Sequence, residues 1–313
     1  MKIVQNLNQL VGNTPMYEIT AYDLPKGVRL FAKLEFLNIG GSIKDRLGFY
    51  LIQKAIEKGK LQEGDTVIEP TAGNTGIGLA LAAIHYKLHA LFVTPEKFSE
   101  EKQNLMRALG AEVINTPTER GMTHAIEKAK QLASVRANAY IPNQFHNEDN
   151  PTTYYDTLGP EIMEEMDGKV DIFIAGAGSG GTFTGTARYL KEKNPQIKTV
   201  IVEPEGSILN GGEPGPHRTE GVGLEFIPDF MDQGLFDKIY TITDERAFTR
   251  LAELAKQEGL LVASSSGLAL EAALKEAEIA ESGTNIVTVF SDSSERYLST
   301  GIYPSVTARA TLN

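Results

Sequence analysis

Apolar positions along the chain fall into two alternating rhythms. Short runs rich in Val, Ile and Phe read as buried strands at 66–69, 90–94, 111–115, 139–141, 171–175, 199–203, 238–243 and 286–290. Between them, apolar residues recur every three or four positions, as at 48–58, 75–86, 100–109 and 123–132, which predicts amphipathic helices. Strands that alternate with helices predict parallel sheets covered by helices on both faces, an α/β fold. The polar stretch N-Q-F-H-N-E-D-N-P at 143–151 ends in a turn signal and divides the chain into two α/β halves, 1–147 and 148–313. Residues 204–230 follow neither rhythm and are dense in Gly and Pro, and a loop of that length inside a compact domain is usually functional.

Ligands of open α/β sheets bind at the carboxyl ends of strands, so the strand–loop–helix junctions hold the candidate chemistry. The strongest is V-D-I-F-I-A followed by G-A-G-S-G-G-T at 176–182 and the start of a helix. Glycines let backbone N–H groups converge on a phosphate, the helix N-terminus adds positive potential, and Ser179 and Thr182 add hydroxyl donors. Residues 176–181 satisfy the dinucleotide fingerprint G-x-G-x-x-G, and Glu203 stands where a ribose-binding acid would. A Walker A loop is excluded, because Thr182 occupies the position that needs Lys. A tight turn with no ligand uses the same residues.

A second junction, P-T-A-G-N-T-G at 70–76, is rich in hydroxyl and amide donors and holds no Lys or Arg, which suits a carboxylate. Thr75 there is an ordinary helix N-cap type, whereas Asn74 exceeds what capping needs. A third, G-G-S-I-K-D-R at 40–46, resembles a capping box of Ser42 with Asp45, which puts Lys44 in the first turn of a helix. The helix dipole disfavours a cation there, and a neutral amine is the nucleophile of carbonyl chemistry. A lysine that merely reaches out to solvent is the plain alternative.

Composition narrows the picture. The chain has 313 residues, 30 Lys and Arg against 41 Asp and Glu, and a net charge of −11, which argues against a nucleic-acid surface. No apolar run reaches membrane-spanning length and no basic-then-apolar leader opens the chain, so a cytoplasmic location is expected. The absence of Cys removes disulfides and thiolate catalysis. His85, His89, His124, His146 and His217 show no metal-ligand spacing, and no metal is expected.

Taken in order, L-V-G-N-T-P at 10–15, K-L-E-F-L-N-I-G-G-S-I-K-D-R at 33–46, the 143–151 stretch, Y-Y-D-T-L-G-P-E-I at 154–162, T-E-G-V-G-L-E-F-I-P at 219–228, S-S-S-G-L-A-L-E-A-A at 264–273 and F-S-D-S-S-E-R-Y-L at 290–298 resemble the fold-type II pyridoxal-phosphate enzymes of the cysteine synthase and cystathionine β-synthase family. The resemblance implies two open, mostly parallel α/β domains of the tryptophan synthase β type, with the N-terminal segment packing on the second domain and a mobile part at about 48–147. It implies pyridoxal 5′-phosphate bound covalently through Lys44, with Gly178, Ser179, Gly180, Gly181 and Thr182 holding its phosphate. Asn74 would bond the ring's phenolic oxygen and Ser265 would face the pyridine nitrogen. Thr71, Gly73, Thr75 and Gln144 would take the substrate carboxylate. Lys44 would also remove the α-proton, after which the β-substituent leaves and a thiol adds. The resemblance further implies a homodimer, with a serine acetyltransferase as partner candidate. Haem and nucleoside-type regulation are not expected. Ser291 departs from the Pro of many relatives.

The family divides by thiol. Cysteine synthases of this family typically have A-G-F where this chain has Leu224-Glu225-Phe226. A carboxylate such as Glu225 can pair with the ammonium of homocysteine, which favours L-homocysteine as acceptor and L-cystathionine as product, with sulfide giving L-cysteine as a second activity. An exposed loop glutamate with no partner is the plainer reading of Glu225. A dedicated cysteine synthase remains the alternative, and an NAD-dependent oxidoreductase a distant one. O-acetyl-L-serine is expected as donor ahead of L-serine, because acetate leaves more readily than hydroxide.

Overall fold

The computed structural model describes residues 3–71 and 73–303. In chain order the elements are β1 (Met16–Ile19), β2 (Arg29–Leu34), α1 (Lys44–Glu57), β3 (Thr66–Pro70), α2 (Asn74–Tyr86), β4 (His89–Pro95), α3 (Glu100–Ala108), β5 (Glu112–Thr116), α4 (Gly121–Ser134), β6 (Ala139–Tyr140), α5 (Asp149–Asp156), α6 (Leu158–Glu165), β7 (Ile172–Gly176), α7 (Gly181–Lys193), β8 (Lys198–Pro204), β9 (Lys238–Ile242), α8 (Asp244–Gln257), α9 (Ser264–Ile279) and β10 (Asn285–Phe290). Short 3-10 turns join some of them.

The chain forms two compact units, one of residues 1–12 and 38–153 and one of 13–37 and 154–313. The first holds a parallel sheet of order β5-β4-β3-β6. Its order reverses beside β3, with β4 on one flank and β6 on the other. The loops after β3 and β6 therefore diverge at a topological switch point, where open α/β sheets bind ligands. The second unit holds a six-stranded sheet of order β1-β2-β10-β7-β8-β9, parallel except for β1 against β2. Here the reversal flanks β7, between β10 and β8. Strands β7, β8 and β10 are buried on both faces, which is why they read as continuous apolar runs in the sequence.

β1 and β2 escape the sequence reading for a physical reason. β2 carries Lys33 in mid-strand, and that side chain is wholly buried. Its Nζ donates to Glu165 at 2.7 and 2.8 Å, pairs with Glu161 at 3.0 Å and also reaches the Thr14 carbonyl. A buried charge with this many partners is tolerated, but it breaks the apolar run that marks a strand. The Asn150-Pro151 turn signal falls inside α5, where Pro is harmless because first-turn N–H groups lack helical partners. The expected turn lies just before it, where His146 N–H and Asn147 N–H donate to the Asn143 carbonyl at 3.0 and 3.1 Å.

Candidate active site

In the first unit, Lys44 opens α1 and Asn74 opens α2. The two helices cross at paired glycines. A Cβ on Gly48 would lie 2.3 Å from the Gly78 carbonyl carbon, and one on Gly78 would lie 2.3 Å from the Lys44 carbonyl oxygen. Gly48 lies one turn beyond Lys44, and Gly78 one turn beyond Asn74, so this contact fixes the two N-terminal residues relative to each other. The expected capping box does not form, although Lys44 does open the helix: Ile43 is the N-cap of α1 and makes no side-chain cap hydrogen bond. Ser42 Oγ accepts from the Lys44 N–H at 3.2 Å, but Asp45 reaches past Ser42 to the Gly40 N–H at 2.5 Å. A Cβ on Gly40 would lie 2.4 Å from Asp45 Oδ1 and 2.7 Å from Leu81 Cδ1, so a larger residue there would have to displace both side chains.

The 70–76 loop sits at the first switch point. Thr71 is buried and Gly73, not Thr75, is the N-cap of α2. Thr75 is therefore not a cap. Its hydroxyl donates to Gln144 Oε1 at 2.9 Å, across from the loop that follows β6. With Oε1 engaged, Gln144 presents its Nε2 donors, the end suited to a carboxylate. Sequence reasoning missed the group beneath this pair. Glu69, buried at the end of β3, accepts from the Asn143 N–H at 2.9 Å and the Gln144 N–H at 3.2 Å. Asn143 turns through a left-handed φ of 53°, which Asn tolerates better than most residues.

Burial pushes the Glu69 carboxyl up to about 7, against the two amides, which favour its charged form. The unfolded group titrates near 4.5. Between those values the native state keeps a proton that the unfolded chain has lost. This contribution to stability is full below pH 4.5 and fades as pH rises through 7. Glu69→Gln is expected to remove it, an effect on the order of 3 kcal/mol across the window. Urea melts of both proteins at about pH 5 and pH 8 measure this, and parallel pH dependence would refute it.

In the second unit, the 176–182 loop leaves β7 at the second switch point and enters α7. Gly180 is the N-cap with a left-handed φ of 82°, and it offers no side chain to cap α7. That opens the first-turn N–H groups of α7 to an anion. A Cβ on Gly178 would lie 2.2 Å from the Gly221 carbonyl oxygen. The cradle is therefore roofed by the 217–224 segment, which is also tied to it by Gly223 N–H to Ala177 O at 2.8 Å. Ser179 is buried and Thr182 half-buried. Ser265 lies in the first turn of α9. The α9 start is held to the loop after β10 by Ala263 N–H to Asp292 O at 3.0 Å, so it flanks the same switch point as the cradle. Glu225 is exposed on the loop beyond Leu224.

Glu203 settles the rival reading of the glycine loop. It is wholly buried, and its oxygens accept from the N–H groups of Leu209 at 2.8 Å and Asn210 at 3.0 Å and from Thr241 Oγ1 at 3.1 Å. Buried and turned to these three donors, it is not presented to a ribose hydroxyl, so the fingerprint is formal only. A groove of about 640 Å³ along α8, lined by Arg218, Asp244 and Phe248 among others, contains none of the predicted site residues.

The residues present fit pyridoxal phosphate. One uncapped helix start behind a glycine loop suits a single phosphate, and a lysine and an amide are fixed together at a glycine crossing. The sequence model of the family described as pyridoxal-phosphate dependent enzyme matches residues 7–292. An O-acetylserine dependent cystathionine beta-synthase of Bacillus subtilis (strain 168) is 59% identical over 303 residues, covering 97% of this chain and 99% of that protein. A cysteine synthase of Helicobacter pylori (strain ATCC 700392 / 26695) is 55% identical over 305 residues, covering 97% and 100%. The crystal structure of an O-acetylserine dependent cystathionine beta-synthase from Helicobacter pylori superposes with a TM-score of 0.93 at 55% identity, covering 97% of this chain and 100% of that one. With the site's chemistry and these likenesses in agreement, the chain belongs to the pyridoxal-phosphate dependent enzymes of fold type II.

Proposed function

We propose that the chain catalyses β-replacement on O-acetyl-L-serine, or L-serine, with L-homocysteine, giving L-cystathionine, and that it also accepts sulfide to give L-cysteine. The observation that carries the choice of acceptor is Glu225, an exposed carboxylate next to Leu224 on a loop bonded to the phosphate cradle. The naming of the 59% identical relative supports it. A dedicated cysteine synthase is the second reading, and the 55% identical relative of that name favours it.

The bound cofactor would supply an electron sink for the α-carbon. The chain supplies the rest. Lys44 Nζ takes the proton from Cα and later returns it. Gln144 Nε2, aimed by Thr75, holds the substrate carboxylate together with Thr71 and Gly73. Acetate leaves Cβ with its bonding pair, and the acceptor sulfur, entering as the thiolate after giving its proton to solvent, forms the new bond there. Asn74 would orient the ring from the Lys44 side. Ser265, a hydroxyl in place of a carboxylate, would leave the ring nitrogen largely neutral, which favours expulsion of a β-substituent. The reading extends to a cytoplasmic homodimer with serine acetyltransferase as candidate partner, and sedimentation of the chain alone and with that enzyme tests both.

The test compares acceptors. With O-acetylserine as donor, both homocysteine and sulfide are expected to be turned over. Glu225→Gly is expected to raise KM for homocysteine roughly tenfold and leave sulfide unchanged, as loss of one charge-assisted contact would. Equal effects on both acceptors would remove Glu225 from the reading, and sulfide turnover alone would leave the dedicated cysteine synthase.

A further inference from the structure

Two strands of different units end in the same dipeptide, Glu69-Pro70 on β3 and Glu203-Pro204 on β8. Both glutamates are buried, and among the described residues neither is paired with a cation. Each spends its two oxygens on two successive backbone N–H groups of a loop, Glu69 on one 74 and 75 residues along the chain and Glu203 on the one that directly follows β8. Glu69 takes Asn143 at 2.9 Å and Gln144 at 3.2 Å. Glu203 takes Leu209 at 2.8 Å and Asn210 at 3.0 Å. A buried carboxylate without a counter-charge is costly, and bonds to adjacent amides offset that cost only while the loop keeps one shape.

On the proposed function, each clamped loop leads to the pocket of a different substrate. Gln144 is clamped at its N–H, its carbonyl accepts from Asn150 Nδ2 at 2.6 Å and its Oε1 accepts from Thr75, which together fix where Nε2 points. On the other side, the loop clamped at 209–210 begins at Ser207. The Ser207 hydroxyl oxygen accepts from the Leu224 N–H at 2.9 Å, one residue before Glu225. Thr241 Oγ1 bridges the same clamp, bonded to Glu203 and to Asn210 Nδ2 at 3.1 Å each.

We propose that Glu69 and Glu203 are a matched pair of positioning residues, Glu69 setting the pocket for the donor carboxylate through Gln144 and Glu203 setting the acceptor loop through Ser207 and Leu224. The proposal rests on the reading that Gln144 binds the donor and Glu225 faces the acceptor. Neither glutamate touches a reacting atom. Their effects should therefore appear in one substrate's KM each, where general destabilisation would spread over both and over kcat.

The experiment uses the holoenzyme with O-acetylserine and homocysteine. Glu69→Gln replaces one acceptor oxygen by an amide donor that faces a backbone N–H. It is expected to raise KM for O-acetylserine roughly tenfold and homocysteine KM less than about twofold. Glu203→Gln is expected to do the reverse. Each variant thus serves as the other's control for lost stability. In Gln144→Ala, which itself raises donor KM, adding Glu69→Gln should cost little more, since positioning without its target has no effect. Parallel KM changes in both variants, or additivity in the double variant, would overturn the proposal. If Gln144→Ala leaves donor KM unchanged, the carboxylate-pocket reading fails first and the Glu69 half falls with it. If Gln144→Ala responds and Glu69→Gln does not, only the proposal fails. Should either Gln variant not fold, hydrogen exchange of the wild-type holoenzyme decides. The amides of Asn143, Gln144, Leu209 and Asn210 should be strongly protected although they lie in loops, and rapid exchange at either pair would overturn its clamp.

Discussion

Lys44→Ala is expected to lower turnover by about 10³-fold or more, the largest effect of any single change in the chain. The substitution removes the amine proposed both to anchor the cofactor and to move the α-proton. Its structural cost should be small. Lys44 is half-buried at the first position of α1, and alanine is a better helix former. The variant should therefore fold normally, lose its cofactor on gel filtration, and show no visible absorption. Thermal melts and steady-state assays of wild type and variant side by side check this. A folded Lys44→Ala protein with more than a tenth of wild-type turnover would mean that another residue moves the proton.

The second large effect is expected from a residue with no chemistry. In Gly78→Ala the new methyl would lie 2.3 Å from the Lys44 carbonyl oxygen and 2.8 Å from its carbonyl carbon. Both obstacles are backbone inside a helix, so neither can swing aside. α1 and α2 must part, at about 1–3 kcal/mol of overpacking strain. Because Lys44 and Asn74 start those helices, the separation should also slow the reaction, while the loop that carries Glu225 belongs to the other unit and keeps its own bonds. A loss of stability with kcat preserved would show that the crossing is structural only. The converse substitution, Gly48→Ala, meets the Gly78 carbonyl carbon at 2.3 Å and should behave alike.

The contrast between Lys44 and Gly78 marks what the sequence makes legible. Residues whose type is restricted by local geometry, such as Gly180 with its left-handed φ of 82° or the lysine at a helix start, are visible in the sequence. Their partners in space are not visible. Glu203 has the right spacing for a ribose acid, but nothing in sequence shows that Leu209 and Asn210 fold back onto it. Thr75 has the composition of an N-cap, yet Gly73 takes that place and Thr75 turns to Gln144, which is sixty-nine residues away. Lys33 hides a strand because its burial depends on two glutamates of α6. Glu69 is the sharpest case, since a buried carboxylate reads as an ordinary strand end until the 143–144 loop is in place. The repeated Glu-Pro at the ends of β3 and β8 was the available signal.

The order of the strands explains why the legible pieces still point to one chemistry. Each unit reverses its strand order once, beside β3 and beside β7, and the candidate residues gather at those two reversals. In the first unit they are an amine, an amide and a carboxylate loop. In the second they are a phosphate cradle, a hydroxyl and an acceptor loop.

The central claim is that Lys44 carries the cofactor. The most direct measurement is borohydride reduction of the purified holoenzyme, followed by proteolysis and mass spectrometry of the lysine-containing peptides. A phosphopyridoxyl group is expected on the peptide containing Lys44 and on no other. The same label on a different lysine, with Lys44 recovered unmodified, would contradict it.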